Sequence, residues 1–169
     1  SVTKSNAQGY SMALWDRTFQ EVATRYPDVE TESLLVDAAA MSFVRRPESF
    51  DVVVASNLFG DILSDLAAAI IGSMGLAASA NLDPERRFPS MFEPVHGSAP
   101  DIAGKGIVNP LAAILTAAMM LDHLEEPAAA REMERAVAAV LAAGKVRTPD
   151  LGGNSTTEEV TEAVLEKLA

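Results

Sequence analysis

The segment at positions 50–55, Phe-Asp-Val-Val-Val-Ala, with its run of three β-branched valines, constrains the fold of this chain more than any other feature. Uninterrupted runs of this kind are typical of a strand buried on both faces of a parallel sheet. Residues 57–71 follow with helical spacing, so the two segments predict a strand–turn–helix unit. This alternation indicates the α/β class. No G-x-G-x-x-G follows a predicted strand, so the usual dinucleotide fingerprint is missing.

The same periodicity arguments predict the other helices and strands. Helices are expected near residues 7–25, 37–46, 109–124 and 127–143, with a last helix opened by the capping-box spacing of Ser155 and Glu158. The 109–124 helix is apolar nearly all round and should be buried. Short strands are expected at 30–36 and around Met91 and Phe92. The Gly-Ser-Met-Gly sequence at 72–75 predicts a domain boundary between residues 1–72 and 73–169.

Composition excludes several classes of function. The 169 residues include 13 Lys plus Arg against 24 Asp plus Glu, which gives a formal net charge of −11 and argues against a nucleic-acid partner. Cysteine is absent and only two histidines occur, so disulfides, thiolate catalysis and Cys- or His-rich zinc sites are excluded. Any metal must therefore bind oxygen ligands. No apolar stretch reaches the ~18–20 residues of a membrane span, and no signal peptide is visible, so a cytoplasmic protein is expected.

Two carboxylates at helical spacing form the first candidate site. Asp61 and Asp65 are four residues apart in the predicted helix that follows the strand, so both project from one face. Ligands of open α/β sheets bind at the carboxyl ends of strands, and Mg²⁺ or Mn²⁺ prefers such oxygen ligands. The alternative is a solvated helix face whose acids are favoured by the nearby helix N-terminus.

Two further residues follow predicted strand-like segments. Lys4 comes after Ser-Val-Thr and is a candidate for proton transfer, with an ordinary surface lysine as the alternative. Asp37 lies at a predicted strand–helix junction and adds a third acid, with a helix N-cap as the alternative.

Residues 93–106, Glu-Pro-Val-His-Gly-Ser-Ala-Pro-Asp-Ile-Ala-Gly-Lys-Gly, form the second candidate site. Small residues let a backbone approach a ligand closely, and exposed N–H groups bind pyrophosphate. His96 is suited to an adenine ring, and Asp101 to a ribose diol, which favours NAD over NADP. Asn109 is a candidate adenine contact or simply the cap of the following helix. A plain cluster of turns is the alternative for the whole segment.

Four segments together resemble the C-terminal half of the β-decarboxylating dehydrogenases, a family that includes the 3-isopropylmalate, tartrate/D-malate, isocitrate and homoisocitrate dehydrogenases. They are Thr3-Lys4-Ser5-Asn6 and residues 35–41, 56–65 and 92–110. The resemblance implies an isopropylmalate-dehydrogenase-like α/β/α fold. It also implies oxidation and β-decarboxylation of a small 2-hydroxy acid with NAD and with Mg²⁺ or Mn²⁺.

The resemblance also assigns roles to individual residues. Asp61 and Asp65 resemble metal ligands of one subunit, whereas Asp37, a further metal ligand, and the proton-transfer Lys4 resemble groups donated by the other subunit of a homodimer. Asn6 resembles a residue near the nicotinamide, and the adenosine-binding set corresponds to His96, Gly97, Ala99, Asp101 and Asn109. Residues 1–72 then belong to the dimer-interface domain and 73–169 to the NAD-binding domain.

Family members are about twice as long as this chain, and their N-terminal half supplies the arginines that clamp the substrate carboxylates. We therefore expect this chain to need a missing N-terminal half and to be inactive alone. Local similarities at residues 10–16 and 83–91 favour a tartrate/D-malate dehydrogenase, with 3-isopropylmalate dehydrogenase as the alternative. A non-catalytic assembly subunit, or a fragment that only binds, is the alternative from another class.

Overall fold

The computed structural model describes residues 1–168, which divide into two compact units. The first unit is Ser1–Ile70, and the second begins at Ile71. Within the described residues, no helix is both long and apolar enough to cross a membrane. The assignment of the two parts of the chain to an interface domain and an NAD-binding domain stays a prediction.

The first unit packs three helices around a short parallel strand pair. Its elements are β1 (Val2–Thr3), α1 (Ser11–Ala23), β2 (Leu34–Leu35), α2 (Val36–Arg45), a 3₁₀ turn (Pro47–Ser49) and α3 (Asn57–Ile71). Strands β1 and β2 are parallel, with Val2 opposite Leu34 and Thr3 opposite Leu35. The core of this unit contains Val2, Met12, Ala39, Phe59 and Leu63. This arrangement fixes the ends of β1 and β2 next to α2.

The predicted strand at 50–55 is wrong, because that segment forms no regular strand. The N–H of Val2 donates to the carbonyl of Val54 at 2.9 Å, and this is the bond that joins the segment to β1. Val52 is 90% exposed rather than buried on both faces. A β-branched run becomes a strand only when neighbours supply a hydrogen-bond ladder and cover its side chains. The two-residue β1 is too short to do either.

The second unit is built on three helices that pack on one another and a hairpin. Its elements are a 3₁₀ turn (Met74–Leu76), β3 (Ala80–Asn81), β4 (Met91–Phe92), α4 (Leu111–His123), α5 (Pro127–Ala143), a 3₁₀ turn (Pro149–Leu151) and α6 (Thr157–Leu168). Strands β3 and β4 are antiparallel, and the N–H of Val95 extends their pairing by donating to Ala77 at 3.1 Å. The core lies between the helices and contains Leu111, Ala136, Val137, Val140, Val160 and Val164.

Several predicted bounds need correction. The 30–36 strand shrinks to Leu34–Leu35, α1 begins at Ser11 rather than near residue 7, and α4 leaves Met119 and Met120 partly exposed. The capping box of α6 lies one residue later than predicted. The N–H of Thr156 donates to Glu159 at 2.7 Å, and the N–H of Glu159 donates to the Thr156 hydroxyl at 3.2 Å. The reciprocal bonds, not the spacing of Ser155 and Glu158, identify the box.

Candidate active site and nucleotide loop

Helix α3 presents the two predicted metal ligands to solvent. Asp61 and Asp65 are both exposed, whereas Phe59 and Leu63 hold the opposite side of the helix in the core. Residues 58, 61, 62 and 65 share one helical face because they are spaced by three and four. We call this the acid–apolar face of α3, since Leu58 and Ile62 on it are 60% and 54% exposed. It offers carboxylate oxygens beside apolar surface that the first unit leaves uncovered.

Lys4 and Asp37 form an ion pair at the carboxyl ends of β1 and β2. The Lys4 Nζ lies 2.7 Å from Asp37 Oδ1, and the two side chains are 26% and 62% exposed. The parallel pairing explains the contact, because Lys4 directly follows β1 and Asp37 lies in the first turn of α2 just after β2. The N-cap of α2 is Leu35, so Asp37 is not the cap.

The electrostatics of this pair favour a charged Asp37. The hydrogen bond from Lys4 holds the pKa of the Asp37 carboxyl below its ordinary value, and backbone N–H groups at the start of α2 act in the same direction. An ammonium and a carboxylate in direct contact, both reached by solvent, form a polar pair that a substrate or metal can approach. Asn6 is exposed in the turn that follows Lys4.

A metal centre is not complete within residues 1–168, because no three His, Asp or Glu side chains there lie close enough together to hold an ion. The chemistry of the donors nevertheless fits a hard divalent cation, since Asp61 and Asp65 supply carboxylate oxygens one helical turn apart. A further carboxylate or imidazole ligand to an ion on the acid–apolar face would lie outside residues 1–168 or in a second copy of the chain. The structure thus supplies Lys4 with Asp37, and Asp61 with Asp65, as two separate pairs.

The second candidate site is a loop at residues 96–108, anchored at both ends. It leaves the β3–β4 hairpin at Val95, whose N–H bonds to Ala77. At its far end, the N–H of Thr157 donates to Gly106 at 2.8 Å and the Thr157 hydroxyl donates to Val108 at 2.6 Å. The loop is therefore irregular in path but fixed at its base.

Backbone conformation inside the 96–108 loop is unusual. Ala99 has φ +42°, a left-handed value that is costly for a residue with a Cβ and is often found at functional sites. A Cβ added to Gly97 would meet no atom within 4 Å, so nothing in the protein requires glycine there. Open space at a glycine suits the close approach of a ligand to the backbone.

Side chains of the loop differ in how available they are. Asp101 is exposed, and within residues 1–168 no hydrogen bond engages its carboxylate. His96 is partly buried, with its Nδ1 2.9 Å from the carbonyl of Gly97. Both side chains therefore remain open to a ligand from at least one side.

Asn109 is used inside the protein. It is only 5% exposed, its Oδ1 accepts from the N–H of Leu111 at 3.0 Å, and its Nδ2 donates to Asp150 at 3.0 Å. This contact supports the start of α4, but the N-cap of the helix is Pro110, so Asn109 is not itself the cap. An adenine contact through the side-chain amide would have to replace one of these bonds, so the binding role of Asn109 stays a prediction.

Sequence reasoning missed Ser73 and Asp150, which lie at the base of the loop. The Asp150 carboxylate accepts hydrogen bonds from the Ser73 hydroxyl and from Asn109. Partial burial raises the pKa of Asp150, but hydrogen bonds that include these two outweigh it and leave the pKa below its ordinary value. The only sequence signal is a turn-forming Thr-Pro-Asp, because the partners of Asp150 lie 41 and 77 residues away.

Comparison with known protein families and structures identifies the family to which this architecture belongs. The family model for isocitrate/isopropylmalate dehydrogenase matches residues 1–164. A probable tartrate dehydrogenase/decarboxylase of Agrobacterium vitis is 56% identical over 168 residues, which are 99% of this chain and 47% of that protein. An isocitrate/homoisocitrate dehydrogenase of Thermus thermophilus is 56% identical over 165 residues, 98% of this chain and 48% of that protein.

A solved structure extends the similarity to three dimensions. Isocitrate dehydrogenase from Methylococcus capsulatus superimposes with a TM-score of 0.93 at 48% identity, covering 99% of this chain and 49% of that one. The chain thus spans about half the length of the curated relatives it matches. The fold is a partial isocitrate/isopropylmalate-dehydrogenase-like α/β fold, as the sequence predicts. This chain belongs to the isocitrate/isopropylmalate dehydrogenase family.

Proposed function

We propose that this chain is the C-terminal half of an NAD-dependent dehydrogenase that oxidises and β-decarboxylates a small 2-hydroxy acid with the help of Mg²⁺ or Mn²⁺. The observation that carries the proposal is the Lys4–Asp37 pair at the carboxyl ends of two parallel strands. A cation–carboxylate pair at that edge is suited to an anionic substrate and a metal ion. The family relationship adds the reaction class.

Each polar group has a distinct role in this proposal. A bound divalent cation would supply Lewis-acid polarisation of the substrate hydroxyl. Asp61 and Asp65 hold the cation from α3, and Asp37 approaches it from a second copy of the chain. Lys4, held by Asp37, exchanges a proton with the substrate oxygen. The 2.7 Å contact keeps the Lys4 Nζ oriented while solvent still reaches it.

The 96–108 loop binds the adenosine part of NAD. The open space at Gly97 and the left-handed Ala99 would expose backbone to the ligand. His96 would stack on the adenine or hydrogen-bond to it. The exposed Asp101 accepts hydrogen bonds from the ribose diol and repels a 2′-phosphate, which favours NAD over NADP. Asn6, after Lys4, is the candidate residue for a contact with the nicotinamide.

Two further parts complete the site: a second copy of the chain, and an N-terminal half of the same polypeptide that supplies positive charge for the substrate carboxylates. The absence of a three-acid cluster within residues 1–168 and the exposed Leu58 and Ile62 beside the acids support a homodimer that covers the acid–apolar face. The relatives' length, about twice that of this chain, supports the N-terminal half. An intact mass near 17.8 kDa for the natural gene product would count against that half.

Tartrate or D-malate is the preferred substrate, with 3-isopropylmalate as the alternative. The similarity to probable tartrate dehydrogenase/decarboxylases of Agrobacterium vitis and Bacillus subtilis, at 56% and 51% identity, supports this order. The equal identity to an isocitrate/homoisocitrate dehydrogenase makes those acids necessary comparisons.

The test assays the intact gene product with Mn²⁺ and NAD against D-malate, tartrate, 3-isopropylmalate, isocitrate and homoisocitrate, following NADH absorbance. We expect turnover of D-malate or tartrate that is lost on chelation of the metal. Asp61→Asn should lower turnover at least a hundredfold and weaken Mn²⁺ binding, because one carboxylate ligand is lost. Asp28→Asn, an exposed acid outside the site, is the matched control.

Faster turnover of 3-isopropylmalate would reverse the substrate order. Failure to bind either Mn²⁺ or NAD would overturn the proposed function. That outcome would support the alternative of a non-catalytic assembly subunit.

A further inference from the structure

The base of the 96–108 loop is closed by one carboxylate that the proposed reaction does not use. Asp150, in the 3₁₀ turn Pro149–Leu151, accepts hydrogen bonds from Ser73 and Asn109, which are 36 residues apart in the sequence. Asn109 directly follows the far end of the loop. Ser73 belongs to the segment that supports its near end. One side chain therefore joins both sides of the loop.

The near side is connected through the turn Met74–Leu76. The Ser73 hydroxyl accepts from the N–H of Gly75 at 2.9 Å and so caps this turn. Ala77, which follows the turn, accepts the N–H of Val95 at 3.1 Å, and Val95 is the residue before the loop begins. A shift of Ser73 would therefore be passed to the start of the loop through a short, hydrogen-bonded path.

Close packing leaves the three groups little freedom. A Cβ on Gly75 would lie 2.6 Å from the Asn109 Cβ and 2.9 Å from Asp150 Oδ2, so the turn rests directly on both residues. Asn109 is 5% exposed, and its other polar atom is occupied by the N–H of Leu111. Without Asp150, the buried Nδ2 of Asn109 would lose its acceptor. Leaving a buried donor unpaired costs more free energy than the loss of a hydrogen bond in solvent.

We propose that Asp150 is a positioning residue for nucleotide binding, which acts through Ser73 and Asn109 to hold the two ends of the 96–108 loop at the spacing the nucleotide requires. This inference rests on the proposed function of that loop. Asp150 itself need not touch the nucleotide. It determines affinity for NAD, whereas the acids and lysine of the first unit determine the chemical step.

The test compares Asp150→Ala with the unsubstituted intact gene product. We expect KM and Kd for NAD to rise about tenfold, since a buried donor is left unpaired at the loop base, while kcat and the Kd for Mn²⁺ stay within about twofold. Amide exchange of residues 96–108 should accelerate in the absence of nucleotide, and exchange in α5 should not. Asp122→Ala, an exposed acid at the end of α4, is the matched control.

The conservative variant Asp150→Asn gives a rescue. Both hydrogen bonds reach Oδ2 of Asp150, and an amide oxygen in that position accepts from Ser73 and from Asn109 as the carboxylate does. We expect KM for NAD within about threefold of the unsubstituted value. A folded Asp150→Asn variant that binds NAD as weakly as Asp150→Ala would overturn the inference.

Other outcomes separate this inference from the proposed function. Unchanged NAD affinity and unchanged loop exchange in Asp150→Ala would overturn the positioning role alone. Absence of NAD and NADP binding by the unsubstituted protein would overturn the proposed function, and the inference with it.

Discussion

At the scale of single residues, the Lys4–Asp37 pair links the fold to the proposed chemistry. The two residues are 33 positions apart and meet because β1 and β2 run parallel and end side by side. Lys4 has only about a quarter of its side chain exposed, whereas Asp37 lies largely in solvent. The pair is therefore held by the strands on one side and open to a partner on the other.

The pKa of Asp37 provides a direct test of this pair. The Lys4 hydrogen bond lowers the pKa of Asp37 from its ordinary 3.8, so the pair stabilises the fold above that pH and the contribution is lost as pH falls through the lower folded value. In Lys4→Met, we expect the pKa of Asp37 to rise toward 3.8, as measured by NMR titration of the carboxyl carbon. Arg17→Met, an exposed cation on α1, serves as the control and should leave that pKa unchanged.

Asp101 gives a second prediction at this scale. Replacing the exposed carboxylate by an ammonium in Asp101→Lys should weaken NAD and strengthen NADP, because repulsion of the 2′-phosphate becomes attraction. We expect the NADP-to-NAD ratio of kcat/KM to rise at least tenfold in the intact gene product. Asp122→Lys changes the net charge by the same amount at a position outside the loop, and it should leave the NADP-to-NAD ratio unaltered. A ratio that does not move in Asp101→Lys would remove Asp101 from the ribose site.

Residue types and local order made part of the candidate site predictable. Lys4, Asp37, Asp61 and Asp65 each follow a predicted strand or lie on a predicted helix face, so sequence alone singles them out. The contact between Lys4 and Asp37 depends on strand pairing, which local pattern does not specify. Asp150 was not predictable, because its role comes from Ser73 and Asn109, which are distant in sequence and brought together only by packing.

At the scale of secondary-structure elements, the elements with the strongest local sequence signal are the ones that were predicted correctly. Helices α3 and α5 begin and end as predicted, since each has a long apolar period with glycine directly after its end. The 50–55 segment failed because strand formation depends on neighbours, which a single segment does not encode. The capping box moved from Ser155 to Thr156, because several hydroxyl residues in succession offer the same spacing within one residue.

The helical core of the second unit should tolerate little loss of volume. Leu111 is 1% exposed and packs against α5 and α6, so Leu111→Ala should lower the free energy of unfolding by about 2–5 kcal/mol. Leu165→Ala removes the same atoms from a side chain that is 58% exposed on α6. It should cost less than about 1 kcal/mol. Chemical denaturation followed by circular dichroism measures both, and equal losses would contradict the assigned core.

At the scale of the whole molecule, the proposed site requires two copies of the chain. Lys4 and Asp37 would come from one copy, and Asp61 and Asp65 from the other. Lys4→Met and Asp61→Asn should each inactivate the intact gene product. A heterodimer of the two variants, however, contains one site with neither substitution, because the substitutions fall together in the other site.

Mixing the two inactive variants therefore tests the shared site. After unfolding and refolding together, random pairing should restore about a quarter of the unsubstituted activity. Each variant refolded alone is the control and should stay inactive. Mass spectrometry should confirm that heterodimers form in the mixture. If they form and activity does not recover, all four residues of a site belong to one subunit.

The exposure of residues 51–54 has a practical consequence for handling this polypeptide. Val52 is 90% exposed, and β-branched residues that lack strand partners form templates for edge-to-edge aggregation. We expect the 169-residue chain to form thioflavin-positive assemblies at high concentration, and Val52→Lys to delay them by placing a charge in the aggregation-prone segment. The control Glu30→Lys introduces lysine at a position that is already charged, so it should delay assembly less. A valine-rich segment without strand partners is thus an aggregation hazard at every stage at which it stays exposed, from synthesis to storage.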